Sequence, residues 1–283
     1  MQVVTMVAAM RKACARARLE GMNEDCLGLV PTMGALHDGH LSLVRKARSE
    51  CGIVAASIFV NPLQFGAGED FDRYPRQTER DLAMLETAGV DLVFVPGAAE
   101  MYPPGAVTTV EVGGLSERLD GASRPGHFRG VATVVTKLLH IVKPDKGYFG
   151  QKDAVQVAVL RQMVRDLNSD VELVTGETVR DADGLALSSR NAYLSASERR
   201  QALALPRALE AMQEALAEGK RERAALLMVG MNVLKREPAV RMEYLEAVDW
   251  GTLEPVEMVS PGTLVAIAAR VGKTRLIDNF LAG

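Results

Sequence analysis

Cys26-Leu27-Gly28-Leu29-Val30-Pro31-Thr32-Met33-Gly34-Ala35-Leu36-His37-Asp38-Gly39-His40 changes character twice along its length. Its first five residues form a short apolar run closed by Pro31, the pattern of a buried strand. After His40, residues 41–50 place apolar side chains at helical spacing. Between strand and helix lie two glycines and two histidines three positions apart. The first amides of a helix have no intrahelical partner and carry partial positive charge, so this junction favours an anion such as a triphosphate. Gly34 and Gly39 allow close backbone approach. His37 and His40 can donate to phosphate oxygens as charge builds there in a transition state. A capped helix start with two polar surface histidines accounts for the same residues, so the segment alone leaves both readings open. A metal site of the HxxH type is less well supported, because the other histidines are only His127 and His140 and no carboxylate pattern accompanies them.

The same strand-then-helix unit recurs outward from this segment. Residues 26–30, 53–60, 91–95, 146–149 and 171–174 read as buried strands, each closed by Pro or Gly, with helical patterns at 41–50, 77–88, 130–141 and 154–167. Strands separated by helices of this length predict βαβ units and an α/β, Rossmann-like, doubly wound parallel sheet. In such a sheet ligands bind beyond the carboxyl ends of the strands, near the point where the winding reverses. From about residue 179 the texture changes to helical stretches at 196–218 and 221–235, followed by strand patterns at 241–248, 264–271 and 274–278. That is a smaller C-terminal helix-plus-antiparallel-sheet domain. The expected division is 1–178 and 179–283.

Three more polar segments follow predicted strands or join the predicted domains. In Ser57-Ile58-Phe59-Val60-Asn61-Pro62-Leu63-Gln64-Phe65-Gly66, Asn61 and Gln64 can orient a hydroxylated substrate without adding charge. Turn chemistry explains Asn61-Pro62 equally well, but explains Gln64 and Phe65 less well. In Lys146-Gly147-Tyr148-Phe149-Gly150-Gln151-Lys152-Asp153, Lys152 is a point charge suited to phosphate, and Asp153 can cap a helix or hold Mg²⁺. Gln156 follows one turn later, facing the same cleft. Leu187-Ser188-Ser189-Arg190-Asn191 puts two hydroxyls and a guanidinium at the domain junction, either a phosphate clamp or a solvated linker. Gly272-Lys273-Thr274 has the end of a P-loop without its beginning, since Ile267 stands where the first glycine is required.

Composition narrows the classes of function. With 48% hydrophobic and 24% charged residues a packed core is expected, and a net charge of −3 supplies no basic field for a nucleic-acid backbone. The longest apolar run is too short to cross a bilayer and residues 1–9 lack a secretory pattern, so no membrane association and a cytoplasmic location are expected. Cys14, Cys26 and Cys51 are odd in number with no CxxC spacing, and are read as isolated thiols.

Taken together, the segments match one family in order and spacing. Residues 31–40 carry the HxGH signature of the nucleotidyltransferase superfamily, and SIFVNPLQFG, YPR (74–76), RPGHFRGV (124–131), FGQKD, LSSRN and TRLIDN (274–279) are added to it. The chain closely resembles the pantothenate synthetase family, essentially end to end. The resemblance implies condensation of pantoate with β-alanine, using ATP and Mg²⁺, through a pantoyl-adenylate with release of AMP and pyrophosphate. It implies that Met33, Gly34, Ala35, Leu36, His37, Asp38, Gly39 and His40 bind ATP. Gly150, Gln151, Lys152, Asp153, Val179, Leu187, Ser188, Ser189 and Arg190 are implied to complete the nucleotide site. His40 is implied as the catalytic acid-type residue, with His37, Lys152 and Arg190 stabilising charge. Gln64 and Gln156 are implied to hold pantoate, with Gln64 also near β-alanine, and a homodimer and a closing second domain are implied as well. Two departures are small: Leu187 stands where many relatives have Met, a swap of similar volume, and residues 23–26 lengthen a surface turn. A nucleotidyltransferase acting on a phosphate acceptor shares HxGH but has no use for Gln64 and Gln156. A nucleotide-sensing module would bind without releasing pyrophosphate, and an HxxH metallohydrolase would carry metal.

Overall fold

Parallel pairing dominates the first part of the chain, as the strand-helix alternation predicts. The computed structural model describes residues 1–20 and 26–283. In chain order they form β1 (Gln2–Val4), α1 (Val7–Glu20), β2 (Leu27–Thr32), α2 (Asp38–Glu50), β3 (Ile53–Ile58), α3 (Thr78–Thr87) and β4 (Leu92–Phe94). There follow α4 (Ala98–Met101), α5 (Asp120–Ser123), α6 (His127–Val142), β5 (Lys146–Gly150), α7 (Ala154–Asp166) and β6 (Glu172–Gly176). The six strands make one parallel sheet in the order β1-β4-β3-β2-β5-β6. β3 is buried along its whole length, which is why its sequence is nearly all apolar rather than alternating. The winding runs outward one way through β3 and β4 and the other way through β5 and β6. It therefore reverses between β2 and β5, the strands that precede the two most polar turns.

The remainder consists of α8 (Ala196–Ala202), α9 (Ala204–Ala217), α10 (Arg223–Leu234) and the strands β7 (Val240–Asp249), β8 (Thr263–Val271) and β9 (Thr274–Leu281). The three strands form an antiparallel sheet centred on β8. β8 has two buried faces, and its alternation shows where each goes. Leu264 and Ala266 join the core of the parallel-sheet region, whereas Val265, Ile267, Ala269 and Val271 join the core around α9 and α10. The small sheet is thus seated on the larger one through apolar contact. The proposed division, 1–178 and 179–283, falls in the extended stretch after β6.

Two expectations change. The helix read over 196–218 is two helices with a break at Leu203. Pro206 explains the break, because it has no N–H to donate to the carbonyl of Ala202 four residues earlier and its ring crowds that carbonyl. The thiols are not all isolated: Cys26 and Cys51 form a disulfide with Cα atoms 4.6 Å apart, and Cys14 is free and buried. The two paired cysteines are 25 residues apart in sequence and meet only because β2 and β3 pair in parallel. Gly272-Lys273-Thr274, read as no P-loop, is the hairpin turn between β8 and β9, where Gly272 takes φ +56°. Of the turn lengthened at 23–26, residues 23–25 lie outside the described residues.

Candidate active site

β2 delivers the chain to the site through a turn that a buried carboxylate holds in place. Gly34 and Ala35 take φ +81° and +51°, and the second of these is costly for a residue with a Cβ. Asp81, wholly buried on α3, accepts the N–H of Ala35 and of Leu36, both at 2.8 Å. A Cβ at position 34 would stand 2.9 Å from the Asp81 carboxylate, so the position requires glycine for space as well as for φ. Nothing local in the sequence singles out Asp81. An acidic residue in the first turn of a helix looks like dipole compensation, and its real target is more than forty residues earlier.

The turn ends in a reciprocal cap on α2. His37 is the N-cap: its Nδ1 accepts the N–H of Gly39 at 3.2 Å, while the Nδ1 of His40 accepts the N–H of His37 at 3.4 Å. Both rings therefore use Nδ1 as acceptor, which leaves the proton of the neutral imidazole on Nε2. The rings lie 4.1 Å apart, centroid to centroid. Burial pushes the His37 imidazolium down to about 4, with Lys152 adding to the effect. Burial, then the neighbouring His37, holds His40 at about 3. At neutral pH the site thus holds two uncharged donors at the positive end of a helix. The capped-start reading holds, and the cap is what orients the two rings.

β5 supplies the facing side. Gly150 ends the strand, a 3₁₀ turn carries Gln151, Lys152 and Asp153, and α7 begins with Gln156 in its first turn. Lys152 Nζ lies 3.2 Å from the Asp153 carboxylate. Burial raises the Asp153 carboxyl, but Lys152, through charge and hydrogen bond, and then Arg190 bring it below its usual range. The small domain fastens this turn: Asn279 Nδ2 donates to the carbonyls of Gln151 and Lys152 at 3.0 and 2.9 Å. Asn279 is buried and lies beside Asp278, which takes both Arg180 terminal nitrogens at 2.6 and 2.9 Å. The closing TRLIDN motif earns its place here, although its residues carried no assigned role.

The loop from the small domain completes the wall. Leu187 donates its N–H to the Val179 carbonyl at 2.9 Å, and its Cβ lies 3.8 Å from where a Cβ on Gly39 would be. That contact brings the domain-junction loop against the start of α2. Ser188 caps a 3₁₀ turn by accepting the Arg190 N–H, and Ser189 Oγ meets the Tyr74 hydroxyl at 3.0 Å. Arg190 makes a two-pronged pair with Asp70, 2.9 Å on each prong, with Tyr74 beneath its guanidinium. Lys152, Asp153, Gln156, Ser188 and Arg190 all line a cleft of about 490 Å³ between the two halves. His37, His40, Asn61 and Gln64 are not among the residues that line it.

Asn61 and Gln64 differ more than their spacing suggests. Asn61 is 1% exposed and its amide is fully committed. It donates to Gln64 Oε1 and to the Gly130 carbonyl, each at 3.0 Å, and accepts from the Tyr102 hydroxyl and the Leu63 N–H. No bonding capacity is left for a substrate, so the orienting role expected of Asn61 is internal: it aims Gln64. Gln64 Nε2 has one contact, Met33 Sδ at 2.9 Å, and so retains an amide hydrogen to offer. Among the described residues no group of three or more His, Cys, Asp or Glu is placed to hold a metal ion.

The family model for pantoate-beta-alanine ligase matches residues 2–281. The pantothenate synthetase of Acidobacterium capsulatum is 64% identical over 257 residues, covering 91% of this chain and 86% of that relative. The pantothenate synthetase of Koribacter versatilis is 54% identical over 99% of this chain and 96% of its own length. Among solved structures, pantothenate synthetase from Thermus thermophilus superposes with a TM-score of 0.94 at 50% identity, covering 99% of each chain. The Francisella tularensis pantoate-beta-alanine ligase, solved with beta-gamma ATP and β-alanine, gives 0.80 at 33% identity over 99% of this chain and 97% of that one. Sequence, fold and the capped histidine pair agree: the chain belongs to the pantoate–β-alanine ligase family.

Proposed function

We propose that this enzyme, which as a member of its family ligates pantoate to β-alanine, does so through a pantoyl-adenylate, releasing pyrophosphate and then AMP. A pantoate carboxylate oxygen attacks the α-phosphorus of ATP and pyrophosphate leaves. The β-alanine amine then attacks the activated carbonyl and AMP leaves. The observation that carries this reading is the pair of neutral imidazoles whose Nδ1 atoms are tied to backbone N–H groups at the start of α2. They are donors without charge, so they stabilise the negative charge that develops on phosphate oxygens without binding the ground state too tightly. Lys152 and Arg190 supply the positive charge, and Arg190 exchanges its Asp70 partner for phosphate on binding. This route needs no covalent nucleophile. Positioning and charge stabilisation suffice.

The residues assigned to ATP are Met33 to His40, Gly150 to Asp153, Val179 and Leu187 to Arg190, with Gln64 and Gln156 on pantoate. Asp153 is a lone carboxylate already facing Lys152, which fits Mg²⁺ carried mainly by the triphosphate, as is usual for this ion. Bound there, it would neutralise phosphate charge. No helix among the described residues is long and apolar enough to cross a membrane. A cytoplasmic location belongs to the proposal. So does a homodimer.

Product analysis tests the proposal. Enzyme with ATP, Mg²⁺, pantoate and β-alanine should yield AMP, pyrophosphate and pantothenate in equal amounts, and ADP would overturn it. Without β-alanine, labelled pyrophosphate should exchange into ATP only when pantoate is present.

A further inference from the structure

The RPGHFRGV segment contributes Arg124 and His127, titratable side chains that the mechanism leaves unused. Arg124 and His127 both line the cleft, and a free arginine there would read as an anion clamp. It is not free. Its Nε and Nη2 each meet a Glu69 oxygen at 2.7 Å, its Nη1 meets His127 Nε2 at 2.9 Å, and Nη2 also reaches the Gln64 carbonyl at 3.3 Å. Glu69 accepts the Gly66 N–H at 3.2 Å as well. His127 Nδ1 lies 2.7 Å from the Gln64 carbonyl. The chain from Gly66 through Glu69, Arg124 and His127 to Gln64 thus closes a ring around the turn after β3.

The chemistry of the two ends dictates the state of the imidazole. A carbonyl oxygen can only accept, so Nδ1 carries the proton. A guanidinium can only donate, so Nε2 presents its lone pair. This tautomer is the opposite of the one assigned to His37 and His40. Burial, and then the adjacent Arg124, push the His127 imidazolium down to about 4, so the ring stays neutral. Gly130, one turn into α6, has its Cα so near the Leu63 carbonyl that any side chain would clash, and this closeness lets the helix start reach the turn.

We propose that His127 is a positioning residue for pantoate: its Nδ1–H fixes the Gln64 carbonyl, and thereby the direction in which the Gln64 side-chain amide points. Asn61 holds the same amide from its Oε1 side, so backbone and side chain of Gln64 are restrained independently. The inference rests on the reading of Gln64 as a pantoate contact.

Two isosteric replacements separate the two bonds of the ring. In His127→Asn the amide nitrogen stands near the position of Nδ1 and preserves the donor to Gln64. In His127→Gln the amide reaches the Nε2 position, preserves an acceptor for Arg124 and loses that donor. His127→Gln should raise the pantoate KM about tenfold, the effect of one lost hydrogen bond. His127→Asn should stay within about twofold, and the ATP KM should be unchanged in both. Equal effects of the two replacements on pantoate, or a parallel rise in the ATP KM, would overturn the proposal. Gln64→Ala in the same assay isolates the premise: an unchanged pantoate KM there sinks the reading of Gln64 rather than the role of His127. Imidazole ¹⁵N spectra of the unmodified protein serve if a variant fails to fold. They should show His127 protonated on Nδ1 and neutral at pH 6, and an Nε2–H signal would overturn the proposal.

Discussion

Arg190, on the cleft wall, and Asn61, buried after β3, are held in opposite ways. Arg190 is paired to Asp70 by an ion pair of which the guanidinium side is 27% exposed, with further charges nearby at Lys152 and Asp153. Asn61 is 1% exposed and tied by four uncharged hydrogen bonds, and Gln64 behind it is bound to Asn61 and Met33. Partly exposed ion pairs are weak and easily exchanged. Buried neutral networks are costly to leave incomplete. On the proposed assignment, the phosphate side can therefore trade protein carboxylates for ligand phosphates, while the amide side is organised before any substrate arrives. On that assignment the difference follows from the ligands: a triphosphate brings charge that can replace Asp70, whereas the hydroxyls of a hydroxy acid need hydrogen-bond partners that are already aimed.

The largest effect should come from the phosphate side. His40→Ala should slow pantoate-dependent pyrophosphate exchange by roughly 10²- to 10³-fold, the loss typical of one transition-state donor. The pantoate KM should hardly move, and near-normal single-turnover adenylation would refute the assignment. On the amide side the first casualty should be stability. Asn61→Ala leaves the Gly130 carbonyl and the Tyr102 hydroxyl without their partner, and should cost about 1–3 kcal/mol in denaturant unfolding. A variant as stable as the parent would mean that this side is not preorganised.

Acid should sharpen the contrast further. His37, His40 and His127 are held near 4, 3 and 4 in the folded chain, against about 6.5 when unfolded. Below pH 6.5 the unfolded chain binds protons that the folded chain refuses, so stability should fall as pH drops from 6.5 towards 4. Melting temperatures at pH 7 and pH 5 check this, and His40→Ala should flatten the slope. Glu69, which Arg124 holds down to about 2 against the effect of its burial, adds a further loss only at lower pH. The smallest effect belongs to Asp70→Asn. It removes a competitor for Arg190, so the ATP KM should fall by about two- to fivefold. A rise would mean that Asp70 positions Arg190 rather than competing with ligand.

Much of the fold and of the site is legible in the amino-acid order, because it is local. Apolar periodicity marks β2, β3, β5 and the helices between them, and the glycines and histidines of residues 33–40 mark the start of α2. The hairpin strands of the small sheet are equally readable. The break at Leu203 is signalled by Pro206, four residues after Ala202, but a strong helical pattern on both sides masks it. β1 gives no such signal, since a three-residue strand has too few positions to show alternation.

What the sequence by itself determined is the set of elements, their alternation and the chemical types gathered after the strands. Those depend on spacing along the chain, and neighbouring residues enforce them. Only the tertiary structure decided which atoms those residues use. It ties Asp81 to the backbone at residues 35 and 36, Asn279 to residues 151 and 152, and Cys26 to Cys51. It turns Asn61 inward and puts the His127 proton on Nδ1. Each of these rests on groups brought together by sheet pairing or helix packing across tens of residues. A hydrogen bond depends on distance in space, and separation along the chain does not encode that distance.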